Sequence, residues 1–206
     1  MNIVIAGSGN VGRALADGWR KAGHGVTFAA REPDGSKALE LRQKGFGVMP
    51  LNGAAATADV IVLAVPWSAV ESTIKALGSL AGKILVDTTD PLKSTTELAL
   101  GFGDSGAETV ARLSSGAHVV KAFSTTGAGN MANSKYPGGK LMMAVAGDDA
   151  PAKQIVMSLV AELGFDPIDS GPLAISRYLE PLAMLWINLA YRQELGPDIG
   201  FALLRR

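Results

Sequence analysis

The sequence predicts an α/β fold: a doubly wound, mostly parallel sheet with a helical appendage towards its C-terminal end. Three observations carry this reading. Apolar runs of strand length alternate with helix-period stretches along most of the 206 residues. Ile61-Val62-Leu63-Ala64-Val65 and Ile84-Leu85-Val86 are continuously apolar, as strands covered on both faces must be. The chain also opens with Asn2-Ile3-Val4-Ile5-Ala6 running straight into Gly7-Ser8-Gly9-Asn10-Val11-Gly12, a G-x-G-x-x-G turn between a strand and a helix.

Strands are expected at 2–6, 26–30, 59–65, 83–87, 118–122 and 140–146. Helices are expected at 10–22, 36–44, 67–77, 106–114 and 150–163, followed by a long helical stretch from about 173. The first helix shows its apolar face in Val11, Leu15 and Trp19 and ends at Gly23. Gly47-Val48-Met49 fits either a short strand or a 3₁₀ turn. Two connections, Thr88 to Gly103 and Phe123 to Gly139, exceed the length of about 12 residues beyond which loops are usually functional. Both leave the carboxyl end of a predicted strand, the edge where open α/β sheets bind ligands.

Apolar residues surround the stretch Leu173 to Tyr191 rather than forming one stripe, so it must be covered on most sides; a core helix with a homodimer contact is the expectation, and one wall of a substrate cleft is the competing reading. Arg177 and Glu180, three apart, are expected to pair on one face of it. With no internal repeat and no flexible linker, residues 1–206 read as a single Rossmann-type domain, with 165–206 as a mostly helical portion packing on it.

Composition narrows the function. Nineteen basic residues balance 19 acidic ones without a basic block, which favours neither nucleic acid nor an anionic membrane as partner. The absence of cysteine excludes disulfides, thiolate metal sites and a cysteine nucleophile, and two distant histidines make no metal cluster. The N-terminus lacks a charged leader, and no apolar run reaches the roughly 18 residues of a membrane span, so a cytoplasmic location is expected.

Each glycine of the turn has its own task. Gly7 permits the tight exit from the strand, Gly9 lets a pyrophosphate approach the backbone, and Gly12 lets helix and sheet pack closely. The helix beyond presents unpaired N–H groups and a positive dipole end, so Gly7, Ser8, Gly9, Asn10 and Val11 are the expected pyrophosphate site of a dinucleotide. A NAD site would place an acid at the end of the second strand, about 20 residues on, for the ribose 2′-hydroxyl. Here Val26-Thr27-Phe28-Ala29-Ala30 ends in Arg31-Glu32-Pro33-Asp34-Gly35-Ser36-Lys37. Arg31 can grip a 2′-phosphate, with Ser36 and Lys37 closing around it, which predicts NADP. The competing reading makes Glu32 the ribose ligand of NAD and Arg31 a solvated surface residue.

The strand ends Val65-Pro66-Trp67, Asp87-Thr88-Thr89-Asp90 and Phe123-Ser124-Thr125 are expected to converge over the nicotinamide, with Val65, Pro66 and Ser124 against the ring. The plainer role for the hydroxyl residues is to satisfy turn backbone. Carbonyl reduction would need a His, Tyr or Lys proton donor beside the ring, and none is placed for it. Tyr136-Pro137-Gly138-Gly139-Lys140 has Y-x-x-x-K spacing, but its proline and glycines forbid the shared helix face. His24 lies in a turn at the opposite end of the sheet, His118 begins a strand, and Lys121 is expected to point into a helix layer. Asp87 and Asp90 remain as candidate acids, with helix or turn capping the plainer role. No residue reads as dedicated to acid–base catalysis, which points to a flavin or deazaflavin as the hydride acceptor.

These motifs together resemble the coenzyme-F420-dependent NADP oxidoreductase family, which includes the cytoplasmic domain of the STEAP metalloreductases. The resemblance rests on Gly7-Ser8-Gly9-Asn10-Val11-Gly12, Gly23-His24-Gly25-Val26, Arg31 and Val65-Pro66-Trp67. Its more specific clusters are Ala146-Gly147-Asp148-Asp149 and the run from Asp169-Ser170-Gly171-Pro172-Leu173 through Ser176-Arg177-Tyr178-Leu179-Glu180. It implies an NADP-binding domain, a short C-terminal portion, and a cleft where F420 stacks on the nicotinamide and takes hydride directly. The chain departs from the family in Ala30, where serine is frequent, and in Phe123-Ser124-Thr125-Thr126, where deazaflavin-binding members commonly carry His-Thr. Other readings are a non-catalytic NADP(H) sensor and a small β-hydroxyacid dehydrogenase-like reductase. The latter lacks chain for the large helical domain that carries its catalytic lysine.

Overall fold

The computed structural model describes residues 1–206. Its first half follows the strand–helix alternation: β1 (Asn2–Ala6), α1 (Asn10–Lys21), β2 (Gly25–Ala30), α2 (Ser36–Gln43), β3 (Gly47–Pro50), β4 (Val60–Leu63), α3 (Val70–Leu77) and β5 (Ile84–Asp87). The segment with two readings, Gly47–Pro50, is therefore a strand. The first long connection contains a small hairpin, β6 (Leu92–Ser94) and β7 (Glu97–Leu98), before α4 (Gly106–Leu113) and β8 (His118–Lys121). The second contains a five-residue helix, α5 (Ala128–Ala132), and the hairpin β9 (Lys135–Tyr136) and β10 (Gly139–Lys140). Then come β11 (Met142–Gly147), α6 (Ala150–Glu162), β12 (Asp166–Gly171) and α7 (Ser176–Ile187).

Eight strands form one sheet in the order β3-β2-β1-β4-β5-β8-β11-β12. From β3 to β8 all neighbours are parallel; β11 runs antiparallel to β8, and β12 parallel to β11. Strand order reverses between β1 and β4, which opens a crevice at their carboxyl ends. The period-two alternation of each strand divides the core. Ile3, Ile5, Val60 and Val62 join Leu15, Trp19, Phe28 and Phe165 on the α1–α6 face. Val4, Ala6, Ile61 and Leu63 join Ile74, Leu77 and Val110 on the α3–α4 face. Trp19 is fully buried, and its indole N–H donates to Leu159 O at 3.0 Å, which satisfies its one polar atom.

The C-terminal portion, expected to be mostly helical, also contributes a strand: Asp166–Gly171 forms the edge strand β12. Helix α7 continues into a π turn over Asn188–Arg192, and the remaining residues are irregular. That tail is anchored: Ile199 O accepts bonds from Asn130 Nδ2 (2.7 Å) and Trp186 Nε1 (2.8 Å), and Phe201 O accepts one from Met142 N (2.8 Å). Trp186 in turn lies on Gly127, where a Cβ would come within 2.4 Å of the indole ring. The C-terminal portion is thereby tied to the loop after β8.

The glycine turn is packed backbone against backbone. A Cβ on Gly12 would sit 2.1 Å from Gly7 O, and one on Gly7 would sit 2.0 Å from Ala64 O. Alanine is the better helix former by about 1 kcal/mol, yet overpacking costs about 1–3 kcal/mol or more. Gly12→Ala is therefore expected to lower the urea unfolding midpoint; an unchanged or raised midpoint would contradict the close packing.

Candidate active site

A cleft of about 620 Å³ opens at the carboxyl ends of β1, β2 and β4. The glycine turn forms its floor, with Gly7 at φ +124°, a conformation that excludes other residues. A Cβ on Gly9 would meet nothing within 4 Å, so the space above it is open to a ligand. Helix α1 starts at Asn10 with no side-chain cap and no acidic residue in its first turn, leaving its N–H groups free for an anion. Gly7, Ser8 and Gly9 line the cleft; Asn10 and Val11 open the helix beside it.

The far wall is the end of β2 and the start of α2. Arg31, Ser36 and Lys37 all line it, and Arg31 and Lys37 are exposed. Arg31 lies across the cleft, its Nη2 donating to Ser72 Oγ (2.8 Å) and Thr73 Oγ1 (3.3 Å) of α3. Helix α2 also begins uncapped, on Gly35, with no acid in its first turn. Glu32, the rival ribose ligand, lines the same cleft and folds back towards Gly35.

Sequence reasoning missed the residue that joins these two walls of the cleft. Arg13 donates from Nε to Ser8 O (2.9 Å) and grips both Glu40 oxygens (2.7 and 2.9 Å), fixing the glycine turn to α2. These bonds, with one from Lys44, hold the Glu40 carboxyl down at about 2. Only a side chain 27 positions away completes the clamp, and no local pattern announces such a pair.

Val65 and Pro66 continue the cleft towards β5. Ser124 does not line it; it follows β8, two strands further along the sheet, about 10 Å away by strand spacing. Between them stands the end of β5, tied to both neighbours. Thr88 donates from N (3.2 Å) and Oγ1 (3.0 Å) to Leu63 O, and Ala122 N donates to Asp87 O (3.1 Å). Phe123 turns the chain out of the sheet at φ +62° while its ring packs edge-on against Trp19 and Phe165. Ser124, Thr125 and Thr126 follow in the connection that leaves β8, with Thr125 and Thr126 buried.

Lys121 does not enter a helix layer. Its fully buried ammonium sits at this edge, 3.2 Å from Asp87 Oδ2, 3.2 Å from Glu180 Oε1 and 3.7 Å from Asp90 Oδ1, and donates to Thr89 O as well. Burial alone would lower the lysine pKa, but the three carboxyls outweigh it and keep the ammonium charged. Glu180 also accepts from Gly106 N (2.9 Å) and Ala107 N (3.0 Å), the N-terminus of α4. Its expected pairing with Arg177 is overturned: Arg177 instead grips Glu108 at 2.9 and 2.6 Å, at the helix start that Ser105 caps by accepting from Glu108 N while its hydroxyl donates to the Glu108 carboxylate. Two backbone N–H groups and a buried ammonium bind Glu180 far more firmly than a half-buried neighbour one turn away.

The two candidate acids separate. Asp87 acts as a turn cap, with Oδ1 accepting from Thr89 N (2.9 Å) and Thr89 Oγ1 (2.7 Å). The Asp90 side chain caps nothing, and its Oδ1 is buried without a hydrogen-bond partner. Burial raises its carboxyl from 3.8 to about 7; Lys121 opposes the rise, while Glu180 and Asp87 add to it. Tyr136 is absorbed in structure, pairing with Gly139 across a hairpin and donating to Asn130 Oδ1 at 2.7 Å. His24 bonds Glu162 at 2.7 Å, and His118 pairs with Asp149 at 3.2 Å, both away from the cleft.

Because the folded chain holds the Asp90 proton more tightly than the unfolded chain, this carboxyl stabilises the fold fully below about pH 4, and that contribution is lost as pH rises through about 7. Asp90→Asn is expected to flatten the fall in urea midpoint across that window; an unaltered slope would show that Asp90 titrates normally.

A family model described as NADP oxidoreductase coenzyme F420-dependent matches residues 2–91. The F420-dependent NADP reductase of Methanothermobacter thermautotrophicus is 31% identical over 208 residues, covering 92% of this chain and 88% of that protein. Metalloreductase STEAP3 of Rattus norvegicus is 33% identical over 187 residues, 89% of this chain but 37% of its own length, so the chain spans little more than a third of that relative. A solved structure from Arthrobacter sp. FB24, provisionally described as an F420-dependent NADP-reductase, superposes with a TM-score of 0.89 at 30% identity, covering 98% of this chain and 99% of that one. No helix of the protein is long and apolar enough to cross a membrane. Since the identity extends over nearly the whole of the Methanothermobacter reductase, the chain belongs to the coenzyme F420-dependent NADP oxidoreductase family.

Proposed function

We propose that the protein is an NADPH-dependent reductase that passes hydride directly to a deazaflavin such as F420, or to a flavin. The observation that carries this reading is the cleft itself. Two uncapped helix starts and Arg31 at one end suit phosphates, and the other end is walled by Val65 and Pro66 with no histidine or tyrosine donor among the lining residues. In this reading Ser8 to Val11 hold the pyrophosphate. Arg31, Ser36 and Lys37 hold the 2′-phosphate, with Ser72 and Thr73 keeping the guanidinium in place. Val65, Pro66 and Ser124 flank the nicotinamide. When bound, the dinucleotide supplies a hydride from its reduced ring. The chain's task is to lay two flat rings face to face and exclude water between them, so that alignment replaces covalent chemistry. Helix α7 leaves Tyr178 and Leu185 at 62% and 47% exposure, and a homodimer contact on that face belongs to the same proposal.

The test is anaerobic mixing of the protein and NADPH with oxidised F420, then with FMN, following loss of acceptor absorbance. Bleaching of either acceptor supports the reading. Charge-assisted bonds to the 2′-phosphate are worth about 1.5–3 kcal/mol, so Arg31→Ala should raise KM for NADPH about 10- to 100-fold and leave that for NADH nearly unchanged. Tight NADPH binding without bleaching of any acceptor would favour a sensor, and equal effects on both nucleotides would remove Arg31 from the phosphate site.

A further inference from the structure

The cluster around Lys121 holds more negative charge than one ammonium can offset, and its three carboxyls are not equally provided for. Asp87 has Thr89 N and Oγ1; Glu180 has two N–H groups of α4; Asp90 has only Lys121, at 3.7 Å. One Asp90 oxygen is buried without a hydrogen bond, while the other bonds nothing in the protein and reaches solvent, the side chain being 12% exposed. The charged groups facing it are Lys121 from β8, Asp87 from β5 and Glu180 from α7; α4 offers backbone N–H groups to Glu180, its own Glu108 being taken by Arg177. Like charges this close in a dry site cannot all ionise, and the carboxyl with the fewest donors is the one that keeps a proton.

Its position gives that proton a use. Asp90 follows β5, between the strand ends that lead to Val65 and to Ser124. Gly106 marks where the surrounding segments meet: a Cβ there would lie 3.1 Å from Pro91 Cδ, 3.1 Å from Glu180 Oε1 and 3.3 Å from Trp67 Cζ3. Pro91 and Trp67 thus meet at the start of α4, each one residue on from Asp90 and from the cleft-lining Pro66 respectively.

We propose that Asp90 carries the proton that accompanies hydride transfer. This rests on the reading of the cleft as a site of NADPH-dependent reduction of a flavin-type ring. The hydride leaves C4 of the dihydronicotinamide with both electrons of its C–H bond and forms a new bond on the acceptor ring, which is reduced by two electrons while the nicotinamide is oxidised. The O–H bond of Asp90 breaks, and its proton forms an N–H bond at the ring nitrogen that gains negative charge. The carboxylate left behind is held by the Lys121 ammonium at 3.7 Å and, with the nucleotide bound, would also answer the positive charge of an oxidised nicotinamide; water returns a proton at its solvent-facing oxygen. The oxidised nucleotide should therefore expel the Asp90 proton and the reduced one should not.

Calorimetric titration of the intact protein with NADP⁺ and with NADPH at pH 7, each in two buffers of different ionisation enthalpy, counts the protons released on binding. Changes at the 2′-phosphate are common to both nucleotides and cancel in the difference. The expected result is a substantial fraction of a proton released with NADP⁺ beyond that with NADPH, lost in Asp90→Asn and kept in Asp90→Glu. Equal release with both nucleotides, or a difference that survives in Asp90→Asn, would overturn the proposal while leaving the NADP site intact. Absence of binding by either nucleotide would overturn that site and this proposal together. Should Asp90→Asn fold poorly, the wild-type difference still decides the matter: it must shrink about tenfold per pH unit well above 7, where the free carboxyl is already ionised.

Discussion

The buried ammonium of Lys121 holds the two halves of the molecule in one arrangement. It reaches the loop after β5 through Asp87, Asp90 and Thr89 O, and it reaches α7 through Glu180. Glu180 in turn closes the N-terminus of α4. The end of β5 with its following loop, β8 and α7 therefore meet on one charge, and α4 joins them through Glu180. A buried ion group is weak evidence of net stability, but removing one partner leaves the others unpaired at a cost of about 3–5 kcal/mol. Such a group fixes an arrangement more than it strengthens it. Here the arrangement sets the C-terminal portion against the carboxyl edge of the sheet.

A second constraint acts at the opposite end of the cleft. The glycine turn is so tightly packed that its backbone positions are set by contact with Ala64 and with itself. Arg13 then couples that turn to α2 through Ser8 O and Glu40. The glycine turn and the start of α2 cannot move independently, so the distance between the two uncapped helix starts is built into the fold. Rigid spacing at one end and a charge-locked wall at the other suit a reaction that relies on ring alignment.

The sheet from β1 to β8 was readable because parallel strands buried on both faces must be apolar throughout, and Ile61 to Val65 or Ile84 to Val86 admit few other readings. The glycine turn was readable because its spacing encodes backbone geometry. Strand β12 was not: Asp166-Pro167-Ile168-Asp169-Ser170-Gly171 lies at the sheet edge and needs little apolar character. The hairpins and the five-residue α5 are too short to carry a period. Arg31 could be placed from its position at the end of β2, whereas Lys121 could not. Its partners are 34 and 59 residues away, and only the assembled sheet brings Asp87, Asp90 and Glu180 around it. The same blindness to distant partners set Glu180 wrongly beside Arg177.

Direct transfer between stacked rings is the centre of the account, and isotope tracing tests it most directly. NADPH deuterated at the transferring C4 position would be used to reduce F420 anaerobically in the presence of the protein, and the product examined by mass spectrometry and NMR. The account predicts that the deuterium is carried onto the carbon of the reduced acceptor ring without dilution by solvent hydrogen. Deuterium lost to water, or an unlabelled reduced product, would contradict it.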